Sequence, residues 1–228
     1  MPPLVRLFYA PWSHYCVCAE LQLAMKGISA TVVPVAYHDK TELIAATGQD
    51  YVPALAWDGR AVAWGEIPEF LEREAPTPTL FPHGQVGAAT LLERWGHQVL
   101  EEKVWKYVVP RVAETFADPR ERWVFEMVQE RVRGPFEVLE GRRPEFLREL
   151  SEELGWVERA LDGRDYVLGA PSLADCGIYG GLSPLRLVGE SVPAKFGRLS
   201  DWVARMEALR ARGPAGRSVA SEPPRSAG

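Results

Sequence analysis

The sequence predicts an α/β front domain followed by an all-α back domain. Three observations point there. Short β-branched and aromatic runs alternate with helical periodicities up to residue 74. A Pro-rich stretch, Ala75-Pro76-Thr77-Pro78-Thr79, then interrupts both patterns. Beyond it the strand signals stop, and apolar residues recur only at spacings of three and four. The expected division is 1–75 for the front domain, 76–84 for a linker and 85–211 for the helical domain. A disordered tail over 212–228, rich in Gly, Pro, Ser and Ala, completes it.

Leu4-Val5-Arg6-Leu7-Phe8-Tyr9 is apolar and aromatic and stops at Ala10-Pro11, as a buried strand does. Val17, Leu21, Ala24 and Met25 keep helical spacing, and Gly27 closes that helix. Ile28 to Val35 reads as a second strand, with Pro34 placing its end near a sheet edge. A short helix over 41–46 ends before Gly48. Ala54-Leu55-Ala56-Trp57 and Arg60-Ala61-Val62-Ala63-Trp64 flank Asp58-Gly59, a hairpin signal because both turn positions need positive φ. A helix over 66–74 completes the order β-α-β-α-β-β-α, with the last two strands antiparallel.

Past the linker, Leu92, Trp95 and Val99 mark a helix that Pro110 is expected to end or kink. Val124, Met127, Val128 and Val132 mark the next, ended by Gly134-Pro135. Leu147, Leu150, Leu154, Val157 and Leu161 mark another, and Phe196, Leu199, Val203 and Met206 a late one. Ser172 followed by Asp175 is a capping-box arrangement opening a helix that ends before Pro184. Gly177, Gly180 and Gly181 would let that helix pack closely.

Composition excludes several function classes. The 228 residues are 46% apolar and 25% charged, which rules out wholesale disorder. The net charge is −5, and residues 1–80 hold only 5 of the 26 Lys and Arg against 9 of the 31 Asp and Glu. A chain without a basic surplus is not expected to bind nucleic acid. No apolar run is long enough to cross a bilayer, and the start lacks the charged-then-apolar order of a secretory signal, so no membrane partner and a cytoplasmic location are expected. Three cysteines, Cys16, Cys18 and Cys176, are too few for a disulfide framework. Cys16 and Cys18 face different ways on a helix, and His14 shares a face with Cys18 but has no further ligand nearby in sequence. No metal site is expected, and His83 and His97 read as surface or packing residues.

Chemistry concentrates where the first strand hands over to the first helix, at Tyr9-Ala10-Pro11-Trp12-Ser13-His14-Tyr15-Cys16. Ser13 stands just ahead of the helical periodicity. Its hydroxyl can cap the helix, or it can donate to an anion held at the helix's positive end. Cys16, in the first helical turn, is an alternative reactive group, because the dipole favours a thiolate. A second segment, Tyr51-Val52-Pro53-Ala54-Leu55, sets a proline at a strand start, as in an edge strand or a cis bond. A cis Val52–Pro53 bond would turn the Val52 backbone outward toward an extended, peptide-like ligand.

Together with Ser172-x-x-Asp175, these segments resemble the glutathione transferase superfamily from about Val5 to Leu209. The resemblance implies a thioredoxin-like front domain, a helical back domain and a homodimer. It also implies an enzyme of the detoxification type, which transfers the sulfur of glutathione, or of a similar small thiol, to a small hydrophobic electrophile. No tightly bound cofactor is implied. On this resemblance Ser13 donates to the sulfur, with Tyr9 and Cys16 as alternatives, and Val52 and Pro53 hold the thiol's backbone. Relatives open their third helix with an acid followed by Ser or Thr; here Ala63-Trp64-Gly65-Glu66 lacks the hydroxyl, leaving Glu66 and Trp64 near the γ-glutamyl end. His38 and Lys40 would receive the other carboxylate, and Trp12 and Trp105 would wall the electrophile pocket. Two rivals stand beside this reading: a non-catalytic binding or scaffold protein of the same fold, and a single-cysteine thiol oxidoreductase using Cys16.

Overall fold

The computed structural model describes residues 2–214. The front half runs β1 (Val5–Tyr9), α1 (His14–Met25), β2 (Thr31–Pro34), α2 (Thr41–Thr47), β3 (Ala54–Trp57), β4 (Arg60–Ala63) and α3 (Ile67–Glu74), the last preceded by a 3₁₀ turn at Trp64–Glu66. This is the order the sequence predicts. The sheet order is β2-β1-β3-β4, with β1 parallel to β2 and the other pairs antiparallel. Pro34 therefore ends an edge strand, where its missing N–H costs no ladder bond. Asp58 and Gly59 both take positive φ, 48° and 81°, as the two-residue hairpin requires.

Alternation along β1 separates two cores. Leu7 faces α1 and α3 together with Leu23, Leu55 and Phe70, while Phe8 faces α2 with Leu43, Ala54 and Ala56. Leu7, Phe8 and Leu55 are fully buried, each contributing about 2 kcal/mol of apolar transfer energy. α1 is buried on nearly every side because its other face meets the helical half through Val17, Cys18 and Leu21.

The back half is all-helical: α4 (Val86–Trp95), α5 (Glu101–Ala113), α6 (Pro119–Arg133), α7 (Phe136–Gly141), α8 (Arg143–Ala160), α9 (Leu173–Leu182), α10 (Pro184–Leu187) and α11 (Gly197–Arg210). A π turn, Gly96–Leu100, joins α4 to α5 and leaves Val99 exposed. Pro110 neither ends nor begins a break, since α5 continues through it to Ala113. α6 ends at Gly134 as expected, but Met127 and Val132 point to solvent and Phe125 is its buried residue. Along α8, Leu150, Leu154 and Val157 are buried and Leu147 is exposed.

The central helix is α9, buried along its whole length. Its glycines permit backbone contact on two sides. A Cβ on Gly177 would stand 2.5 Å from the Glu93 Cα, one on Gly181 2.4 Å from the Gly96 carbonyl oxygen, and one on Gly180 2.8 Å from the His14 carbonyl oxygen. The Ser172–Asp175 pair differs from a capping box. Ser172 Oγ donates to Asp175 Oδ2 at 2.6 Å, and Asp175 Oδ1 accepts from the Val167 N–H at 3.0 Å and from Trp202 Nε1 at 2.9 Å. Gly213 and Pro214 are buried, with Gly213 against α1, so packing continues past residue 212, where the tail is expected to begin. The rest of that segment, 215–228, lies outside the described residues. Among the described residues no helix is long and apolar enough to cross a membrane.

Candidate functional site

The turn after β1 sets Ser13 at the mouth of α1. Its N–H donates to the Ala10 carbonyl at 3.0 Å, and its extended backbone (φ −82°, ψ 113°) points the hydroxyl over the first helical turn. Ser13 Oγ accepts from the Cys16 N–H at 3.4 Å, a long capping bond. The side chain is buried at the wall of a cavity of about 470 Å³.

That cavity lies between the strand ends of the front half and helices α5 and α6. The front half gives Trp12 to Tyr15, Val35 to Tyr37, Lys40, Tyr51 and Val52; the helices give Glu101, Trp105, Val128, Gln129 and Arg133. Trp12 stacks on Tyr37 with ring centroids 4.5 Å apart, and Phe125 meets Trp12, Tyr37 and Trp105 at 6.3, 5.7 and 5.9 Å. The Tyr37 N–H donates to Glu121 Oε1 at 2.8 Å, which ties the end of β2 to α6 and holds the wall in place. The cavity thus combines an aromatic surface with a hydroxyl and a lysine.

The expected residues divide between places. Ser13, Trp12, Val52, Lys40 and Trp105 share this cavity. The Val52–Pro53 bond is cis, with Pro53 buried behind Val52. Trp64 lines a second groove instead, and Glu66 and His38 are exposed and line neither. Tyr9 is buried outside the cavity, its hydroxyl donating to Glu20 at 3.2 Å and accepting from Arg210 Nη2 at 2.8 Å. Burial, and then Glu20, push the Tyr9 phenol well above its ordinary range. Cys16 is completely buried and accepts from the Ala10 N–H at 3.4 Å. Burial pushes its thiol up to about 12, against the opposing effect of the Ser13 hydroxyl. A thiol so placed is protonated at neutral pH and out of reach of solutes, unlike the exposed thiolate that nucleophilic attack requires.

Sequence reading passed over Tyr37, Phe125, Glu101 and Arg133, and gave His14 and Tyr15 no part in the thiol site, yet these residues finish it. Glu101 opens α5 and meets Arg133 Nη2 at 3.2 Å and His14 Nδ1 at 3.6 Å. Burial raises the Glu101 carboxyl to about 7, opposed by Arg133 and reinforced by Glu102. Burial, with His97 and Arg133 nearby, holds His14 well below its ordinary value, so its contact with Glu101 is made by a neutral ring. Tyr15 stacks between His14, Trp64 and His97 at 3.9, 4.4 and 4.4 Å, where the superfamily resemblance places the γ-glutamyl end. A Trp-Ser-His-Tyr run beside a strand end signals aromatic crowding, but nothing local in sequence aims α5 and α6 at it.

Residues 7–78 match the family described as glutathione S-transferase, N-terminal domain. No curated protein matches the sequence. Among solved structures, glutaredoxin 2 from Salmonella typhimurium, determined in complex with glutathione, superposes with a TM-score of 0.75 at 19% identity, over 90% of this chain and 94% of its own. A glutathione S-transferase from Rhodospirillum rubrum F11 gives 0.68 at 19% identity, over 98% and 95%. Glutathione transferase GSTFuA3 from Phanerochaete chrysosporium gives 0.69 at 17% identity, over 93% and 98%. The front sequence, residues 7–78, thus matches the N-terminal domain of glutathione S-transferases, and the two-part fold of these structures is shared across nearly the whole length of the chain.

Proposed function

We propose that the cavity binds glutathione or a similar low-molecular-weight thiol and transfers its sulfur to a small hydrophobic electrophile. The observation that carries this reading is the position of Ser13. Its hydroxyl lies at the N-terminus of α1, on the wall of a cavity that also receives Val52 of the cis pair and the Lys40 side chain. A sulfur anion there meets the Ser13 hydroxyl and the positive end of the helix, and both lower the thiol pKa. Lys40 supplies a cation for a carboxylate, and Val52 supplies backbone for a peptide-like ligand. The Trp12, Tyr37 and Trp105 wall suits an apolar electrophile. A homodimer, a cytoplasmic location and a detoxification role accompany this reading by analogy with the superfamily.

Ser13→Ala is the test. A hydrogen bond to a charged group contributes about 1.5–3 kcal/mol, so turnover of glutathione with a chlorodinitrobenzene should fall by about ten- to a hundredfold. The bound thiol's pKa, followed by thiolate absorbance, should rise. A variant that loses only the stability of a helix cap, about 1 kcal/mol, while keeping turnover and thiol pKa, rejects the proposal.

A second reading has its own support. Glu66 lines neither cavity, and Tyr15 stacks on Trp64 where the γ-glutamyl end is expected. Both favour a binding or scaffold protein that kept the fold without the thiol site. Calorimetry with millimolar glutathione separates the two, since the scaffold reading requires no heat of binding.

A further inference from the structure

α1, α4 and the π turn bring three metal-ligating side chains into one buried cluster outside the thiol cavity. The Cys18 thiol, the Glu93 carboxylate and the His97 imidazole each place a donor atom within 4.8 Å of the other two. All three residues are buried, and His97 is only 3% exposed. His97 Nε2 lies 3.3 Å from Glu93 Oε1, yet neither imidazole nitrogen has a hydrogen-bond partner. A buried carboxylate oxygen and an imidazole nitrogen set side by side without a hydrogen bond between them are arranged to share a third atom. We propose that Cys18, Glu93 and His97 bind a divalent transition metal, with zinc(II) as the best match to the donors.

Donor chemistry, charge and scaffold support the assignment. One sulfur, one nitrogen and one oxygen donor suit zinc(II), which takes such sets tetrahedrally. Two anions, thiolate and carboxylate, neutralise a dication in an otherwise apolar interior. Gln22 Nε2 already donates to Cys18 Sγ at 3.3 Å, the kind of outer contact that steadies a metal-bound thiolate. Gly180 and Gly177 form the floor. A Cβ on Gly180 would stand 3.4 Å from both Cys18 Cβ and His97 Cε1, and one on Gly177 2.8 Å from Glu93 Cγ. His97 sits within the π turn, a departure from regular helix often found at functional positions.

A groove of about 300 Å³ lined by Glu93, His97, Tyr15 and Trp64 reaches two of the three donors from solvent, with Cys18 behind them. On binding, the Cys18 S–H bond breaks, its proton leaves to the buffer and an S–metal bond forms; no electron is transferred. Sequence spacing conceals the site, because Cys18 and His97 are 79 positions apart and their approach depends on α9.

The test uses tag-free protein, stripped with chelator and titrated with cobalt(II) as a spectroscopic probe and with zinc(II). One equivalent of cobalt should produce a thiolate-to-metal charge-transfer band that zinc abolishes, and one equivalent of zinc should raise the melting temperature. Cys18→Ala should remove the band and weaken zinc binding by at least about a hundredfold. Glu93→Gln, nearly unchanged in shape, should weaken it while keeping the fold, and Cys16→Ala should bind as the parent does. Absence of saturable one-to-one binding, or binding unchanged in Cys18→Ala and Glu93→Gln, overturns the proposal. Because these readouts do not use thiol turnover, the site stands or falls separately from the thiol cavity.

Discussion

The Trp202 indole N–H donates to Asp175 Oδ1 at 2.9 Å, tying the last helix to the first turn of α9. The same oxygen accepts the Val167 N–H, and Ser172 Oγ donates to the other. Asp175→Ala removes the two oxygens that accept these three hydrogen bonds and strands two buried N–H groups. Each orphaned donor costs about 1–3 kcal/mol, so the loss should be about 3 kcal/mol in a urea denaturation. Asp175→Asn keeps one carbonyl oxygen and should lose less.

Glu101 gives a pH dependence with a definite sign. Its carboxyl titrates near 4.5 in the unfolded chain and is raised to about 7 in the folded one, by burial first. Between those values the folded protein binds more protons than the unfolded. Its contribution to stability is therefore complete below pH 4.5 and falls as pH rises through 7. Glu101→Gln should flatten the profile across this window, with the difference from the parent on the order of 3 kcal/mol. Denaturant midpoints measured from pH 4 to 8 check it.

All three thiols, Cys16, Cys18 and Cys176, are buried. Native protein should consume no Ellman's reagent on the timescale of a free thiol, and three equivalents should react after unfolding in guanidinium. Reaction of Cys16 in the native state would revive the single-cysteine oxidoreductase reading.

Lys40 lines the same cavity as Ser13. Lys40→Met should raise the KM for the thiol several-fold and leave kcat nearly unchanged, since the contact is made equally to ground and transition states. The effect should shrink as salt screens the charge.

Local signals carried the front half. Asp58-Gly59 names its own turn, and the Leu7/Phe8 alternation names two faces of one sheet. The back half was legible where periodicity was strong, as along Leu150, Leu154 and Val157, and misled where an apolar residue sits on a solvent face, as at Met127 and Val132. Pro110 failed as a stop because surrounding core contacts through Val108, Val109 and Val112 outweigh one lost backbone bond. Within the cavity, Ser13 and Val52 could be named from short motifs. Phe125 and Arg133 could not, because their nearness to Ser13 depends on how α6 crosses the strand ends.

The bare stretch of α9 has a mechanical consequence. Helices from both halves of the chain rest directly on its main chain, so neither half owns that helix and neither can swing on the linker while it stays in place. Cleavage between residues 75 and 79 should leave the two fragments associated, and calorimetry should record one melting step rather than two. Any motion that opens the cavity must then come from α6 and the strand-end loops, with the centre of the molecule at rest.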